Sequence, residues 1–354
     1  MKARTYLGAL LGFLMLSCLL TSTHRPQPFP FPSLYYFPTM PTAADNPVTI
    51  EGAELGRYLF YETALSRDST IACATCHRQS SAFSDAPKRK SLGIYQDSTS
   101  RNTLPLFNLA WYPALFWDGK ATNLENVAFH PIHHSKEMDM NWKKVIQRLE
   151  SSPFYVAKFQ QVFDNQGIDS IAISKAIAQF LRTLLSYQSK YDKVLQGKSV
   201  FDSDEYQGFV IVNDQSKGAC LHCHTTDASA LGTNLTFSDN GLDNVLNVMN
   251  YPDKGLGGIT GNPKDLGKFK TPSLRNLSFT APYMHDGRFS NLEEVLRFYN
   301  EEVHTSVNLD SKMTLARQKK GHLNEKELNQ VLKFLLTLND STFVTNPIFG
   351  KPSF

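Results

Sequence analysis

Apolar residues recur at helical spacing in several stretches of this chain. Ile171 to Gln188 and Asn324 to Leu338 are each strongly periodic and predict helices. Leu292, Val295, Leu296 and Tyr299 fall at i, i+3, i+4 and i+7, one buried face. Ser290, Asn291, Leu292 and Glu293 read as a capping box that starts this helix at Asn291. No alternating strand pattern of any length accompanies them, so the chain is expected to be mostly all-α. A different kind of apolar run, Tyr6 to Leu20, follows Lys2 and Arg4. It is too short and wrongly flanked for a stable membrane helix and has the charged and apolar regions of a secretory signal. From Pro26 to Pro47 seven prolines, with Phe29, Phe31, Tyr35, Tyr36 and Phe37 among them, exclude helix and favour extended chain.

Composition narrows this picture. The 354 residues are 41% hydrophobic and 19% charged, enough for one large or two modest globular domains. The formal charge is +3, and Lys2 and Arg4 supply two of those charges, leaving the rest of the chain near +1. With no basic stripe elsewhere, nothing points to a nucleic-acid partner. Cys18 follows Leu16 and Ser17 as a lipidated cysteine follows a lipoprotein signal, although Met15 stands where leucine is usual. The alternative is ordinary cleavage a few residues later, and either route exports the chain to the periplasm or cell envelope. Any membrane attachment would then run through Cys18. The expected division is a signal over 1–20, a proline-rich tether over 21–47, and two domains over 48–197 and 198–354.

The other four cysteines form two tight pairs, each followed at once by histidine: Cys73, Cys76 and His77, then Cys220, Cys223 and His224. Both are C-x-x-C-H. Two thiols at this spacing form thioethers with the haem vinyl groups, and the adjacent histidine reaches the iron. A redox dithiol or half of a zinc site would need one such pair, not two with histidine next in line. Two covalently bound haem c groups are therefore expected. His222, inside the second motif, reads as an exposed loop residue.

The chain also repeats itself. Thr103 to Leu109, running on to Phe116, Trp117, Asp118, Gly119 and Lys120, matches Thr271 to Leu277, running on to Met284, His285, Asp286, Gly287 and Arg288. The offset is a gapless 168 (271 minus 103), and both copies continue into a Ser/Thr-Asn-Leu-Glu-x-Val segment. Two tandem cytochrome c-type domains related by internal duplication are the expected architecture. At that offset Pro131 matches Tyr299. Segment 78–129 contains no histidine and no methionine, so it offers the first haem no conventional sixth ligand.

With these motifs, together with Leu55 to Phe60, Glu137-Met138 and Pro282 to Arg288, the chain resembles the bacterial di-haem cytochrome c peroxidase family, including its MauG branch, over roughly residues 45–340. The resemblance implies peroxide chemistry at the N-terminal haem and electron transfer at the C-terminal one. It makes Trp117 the tryptophan between the haems, a residue that alone would read as aromatic core. It makes Glu137 the distal acid, which alone could be a helix-start carboxylate after Ser135. It places a calcium ion at Asn102, Thr280 and Pro282, the last two through backbone carbonyls. It makes Tyr299 the ligand of the second iron, a position where ordinary peroxidases of the family carry methionine and MauG-like members tyrosine; Met284 is the rival. Val127 departs from the glutamine many relatives carry in support of the distal acid. His130, His133 and His134 read as surface residues ahead of a helix, or as one histidine entering the distal pocket.

Three functions compete. The first reduces hydrogen peroxide with electrons from a small periplasmic donor, a cytochrome c or a cupredoxin. The second uses the same haem pair to modify a residue of a partner protein. The third is a plain electron-transfer cytochrome, which would cap both irons.

Overall fold

The computed structural model describes residues 25–217, 220–225 and 230–353. The signal and Cys18 lie outside them. Among the described residues no helix is long and apolar enough to cross a membrane. The fold is mostly helical, and two crossed helix pairs organise it. Helix α1 (Ile50–Phe60) starts at Thr49, whose hydroxyl accepts from the Gly52 N–H at 3.0 Å. Helices α2 (Trp142–Glu150) and α3 (Pro153–Phe163) flank the pair that α1 makes with α4 (Ser170–Thr183). Gly56 permits that crossing, since a Cβ there would lie 1.9 Å from the Ala176 carbonyl oxygen. After the short α5 (Lys190–Leu195), α6 (Ser203–Asn213) makes the second crossing. Gly208 on α6 meets the Gln330 carbonyl of the last long helix in the same way, again at 1.9 Å.

That last helix is α8 (Glu325–Leu336), capped by Asn324, and α7 (Leu292–Arg297) precedes it. The residue that caps α7 is Asn291, which accepts from the Glu294 N–H, and Glu294 returns to the Ser290 N–H. The box is thus shifted one residue from Ser290 and Glu293, because the amide side chain reaches the free N–H first. Helix α4 stops at Thr183 rather than at Gln188. Asn108 explains this: its side chain bonds both the N–H and the carbonyl of Ser186, and its N–H takes the Leu184 carbonyl. A sequence pattern sees the apolar stripe and not the asparagine that pulls the backbone out of it. Asn276 meets Leu338 and the Asp340 N–H in a similar fashion beyond α8. Two strands of two residues, β1 (Phe237–Ser238) and β2 (Phe269–Lys270), pair antiparallel, a small departure from an all-helical expectation.

The cores do not follow the expected boundary at 197/198. One core gathers Leu55, Phe60, Phe83 and Phe180, and is joined by Phe343 and Phe349 from the far end of the chain. The other gathers Tyr191, Val212, Phe334 and Leu338, and is joined by Leu185 and by Phe37. Helix α5 goes to this second core because Asp192 is fully buried there against Arg275. The proline-rich segment, expected as a spacer, lies on the body. Tyr36 donates to the Tyr187 carbonyl at 2.8 Å, Trp111 Nε1 donates to the Pro38 carbonyl at 2.9 Å, and Phe37 lies beneath the Arg275 guanidinium. Its aromatic residues bury apolar area that a free linker would leave in water.

Candidate functional site

Each C-x-x-C-H forms one tight turn that carries its histidine back over the first cysteine. The His77 N–H donates to the Cys73 carbonyl at 2.9 Å, and the His224 N–H to the Cys220 carbonyl at 2.8 Å. None of Cys73, Cys76, Cys220 and Cys223 forms a disulfide. Burial pushes the Cys73 thiol up to about 12 and the Cys220 thiol up to about 11, so both are protonated and uncharged. Burial also lowers both imidazoles, His224 to about 4, which keeps the rings neutral as iron ligands must be. His77 Nδ1 lies 2.8 Å from the Phe83 carbonyl. The carbonyls of Gly232 and Pro272 face His224 and oppose its fall, yet its Nδ1 is buried outside hydrogen-bond geometry. Four cysteines outside any disulfide and two neutral buried imidazoles fit two covalently attached haems.

A large cavity opens beside the second motif. His224, Cys220 and Cys223 line it, and Tyr299 and Met284 line it as well. Tyr299 lies in a π-helical turn (Phe298–Glu302) that continues α7, a local widening that recurs at functional sites. Burial pushes its phenol up to about 12, opposed by Asn240, whose amide donates to the hydroxyl at 2.9 Å. The same amide nitrogen lies 3.7 Å from the Met284 sulfur. Leu292, Val295, Leu296 and Tyr299, expected on one buried face, all line this cavity, Leu292 buried and the other three half-buried. His222 is not an exposed loop residue: it is half-buried at this cavity with Nδ1 enclosed and unpartnered, because the tight turn folds it inward.

Trp117 is buried at the boundary of this cavity, its indole N–H donating to the Asn102 carbonyl at 2.8 Å. Asn102, Thr280 and Pro282 line the same cavity. Around Trp117, Arg101 pairs with Asp118 at 2.6 Å and with Asp253 at 2.7 Å, and His285 stacks on Phe269 at 3.7 Å between ring centres. Sequence reasoning missed Asn240, Lys270 and this network; nothing in their spacing marks them.

The first site is built differently. Glu137 sits in the turn between the short helix Phe129–His133 and α2, not at a helix start, since Asn141 caps α2. Its N–H takes the His134 carbonyl, and its own carbonyl accepts from Ile94 at 3.0 Å. Burial raises the Cys73 and Cys76 thiols, and the charge of Glu137 adds a smaller push in the same direction. Pro131 lies on the same short helix. His133 and His134 are exposed, His133 edge-on to Trp142 and His134 3.7 Å from Glu137. His130 is half-buried with its ring 5.1 Å from Phe116 and its pKa lowered by burial and by Lys120.

This arrangement defines a c-type cytochrome with two unequal haem sites. Residues 50–200 match the family model described as di-haem cytochrome c peroxidase. The methylamine utilization protein MauG of Methylophilus methylotrophus is 34% identical over 85% of this chain and 86% of that protein. Cytochrome c551 peroxidase of Nitrosomonas europaea is 32% identical over 85% of this chain and 84% of that protein. A crystal structure of a MauG-like protein associated with microbial copper homeostasis superposes with TM-score 0.82 at 29% identity, covering 92% of this chain and 99% of that one. The chain belongs to the di-haem cytochrome c peroxidase family.

Proposed function

We propose that this protein is a peroxidase that reduces hydrogen peroxide at its N-terminal site, with electrons entering through the C-terminal site from a small periplasmic donor, a cytochrome c or a cupredoxin. The observation that carries this reading is Glu137, a carboxylate whose charge reaches both Cys73 and Cys76, in a half where Pro131 and Phe116 bring no ligating side chain. Haem, when bound, supplies the iron that takes up electrons and binds the oxidant. Peroxide cleavage needs a group that moves a proton from the near oxygen to the far one, and Glu137 is read as that group. Trp117 fills the space toward the second cavity with an aromatic side chain whose N–H is tied to Asn102, a fixed path between the two sites.

A second reading rests on Tyr299. A phenolate ligand there would favour ferric iron, as in the MauG-like branch, and the oxidising equivalents would go to a residue of a partner protein. Peroxide titration of the purified di-haem protein, with and without reduced donor, separates the two. Rapid donor consumption is expected; an oxidised haem spectrum that persists and is indifferent to donor would overturn the peroxidase reading in favour of the modifying one.

The finer architecture belongs to the same proposal. Residues 48–197 and 198–354, although each core borrows residues across that division, are read as copies of one cytochrome c unit. Left-handed Asn108 and Asn276, and left-handed Phe116 and Met284, support this at the offset of 168. So do the Asp-Gly turns at Gly119 and Gly287. A calcium ion is assigned to Asn102 with the carbonyls of Thr280 and Pro282, three residues that line the cavity and offer hard oxygen donors. Export, with lipidation at Cys18, is supported by the sequence of the leader.

A further inference from the structure

Lys270 is 4% exposed, in β2, at the wall of the second cavity. Its backbone is fixed on two sides, the N–H donating to the Trp117 carbonyl at 2.9 Å and the strand pairing with Phe237. Its ammonium lies 3.9 Å from the centre of the Tyr112 ring. Among the described residues no carboxylate pairs with it and no oxygen accepts from it, and burial alone pulls it down to about 7. Tyr112 brings no compensating charge, because burial raises its phenol and keeps it neutral.

The chain treats its other buried cations differently. Arg275, also on the cavity wall, is fully buried against Asp192, and Arg182 is paired with Glu125. A lone buried ammonium is among the costliest groups a fold can hold, and its usual remedy is an anion. The anion that belongs in this cavity is carried by the prosthetic group, since haem brings two propionate carboxylates. At the offset of 168 the first half has Asn102, a neutral side chain.

We propose that Lys270 is the internal counter-cation of a propionate of the second haem, and that this pair holds the potential of the second iron above the value it would otherwise have. The inference rests on the di-haem reading but not on the peroxidase reading, and its test uses no peroxide. Spectroelectrochemical titration of the purified holoprotein reads both haems. Lys270→Met and the nearly isosteric Lys270→Gln are expected to shift the second haem's ferric-to-ferrous ratio at fixed potential about tenfold toward ferric, one unit charge across a partly screened gap. The first haem stays in place, and Lys270→Arg restores the second. An unchanged second potential in either neutral variant overturns the proposal and leaves Lys270 as packing against Tyr112. A readout independent of any variant is the propionate bending band in the resonance Raman spectrum of the wild type. Exchange into deuterium oxide shifts that band when an ammonium donates to the carboxylate; an unshifted band for the second haem overturns the assignment.

Discussion

The two haem-attachment turns are nearly the same object, and their surroundings are nearly opposite. In the first half the positions that match Met284 and Tyr299 carry Phe116 and Pro131, and the charge of Glu137 reaches Cys73 and Cys76. Around Cys220 and Cys223 the matching positions carry Met284 and Tyr299, and the polar groups supplied are an amide, Asn240, and a cation, Lys270. The backbone at these points agrees, left-handed at both Phe116 and Met284. On the proposed reading, one chain geometry serves an acid-bearing site in one half and a ligand-bearing cavity in the other. What distinguishes them is a handful of side chains rather than a change of scaffold.

The largest expected break in this contrast is at Glu137. Glu137→Ala removes the proposed proton carrier of the first site, and peroxide-dependent oxidation of a reduced donor is expected to fall by roughly 100- to 10,000-fold. The second haem's spectrum should be untouched, which steady-state assays and absorption spectra of the same sample would check. Turnover equal to that of the wild type would remove Glu137 from the mechanism.

Next comes the choice of ligand at the second site. Tyr299→Phe is expected to abolish the low-spin signature of the second haem, while Met284→Leu leaves it in place. The opposite pattern would assign the iron to the thioether and make the two sites less different than their side chains imply. Absorption and paramagnetic resonance spectra of the ferric protein distinguish these outcomes.

How far the sequence revealed this contrast depends on how local each signal was. The haem turns were legible because their chemistry lies within five consecutive residues, and the face ending at Tyr299 because helical spacing lies within eight. Glu137 and Trp117 came through family resemblance, since neither spacing nor composition singles out a carboxylate in a turn or one aromatic among many. Lys270 and Asn240 were invisible for a different reason. Their importance arises from what the fold places around them, an enclosed ammonium beside Tyr112 and an amide between two distant ligand candidates. The end of α4 was misjudged because Asn108, 78 residues from Ser186, decides where that helix stops.

The smallest expected effect sharpens a difference in anchoring. Glu125 and Glu293 occupy equivalent places in the Asn-Leu-Glu segments, yet Glu293 is exposed while Glu125 accepts from Arg182 at 2.6 Å and from Asn46 at 2.7 Å. Burial works to raise the Glu125 carboxyl, but these donors hold it below its ordinary value of 4.5. The stability it contributes is thus complete above that value and is lost as pH falls through the lower folded one. Glu125→Gln is expected to cost about 1 kcal/mol near neutrality, allowing for partial solvent screening, and less in acid. Glu293→Gln should cost little at either pH, and chemical denaturation of both variants at two pH values would measure the difference.

Phe343 and Phe349 give the molecule a long-range constraint on assembly. They complete a core whose other members begin at Leu55, so the packing of the N-terminal half is finished only when residues nearly 300 positions away have joined it. Phe37 makes the reciprocal loan, an early residue held until the C-terminal half exists. Contacts that join the two ends of a chain are slow to form, since the intervening loop must first be closed. The core against which Cys73 packs is therefore closed by contacts of very long sequence separation, the kind that forms late in folding.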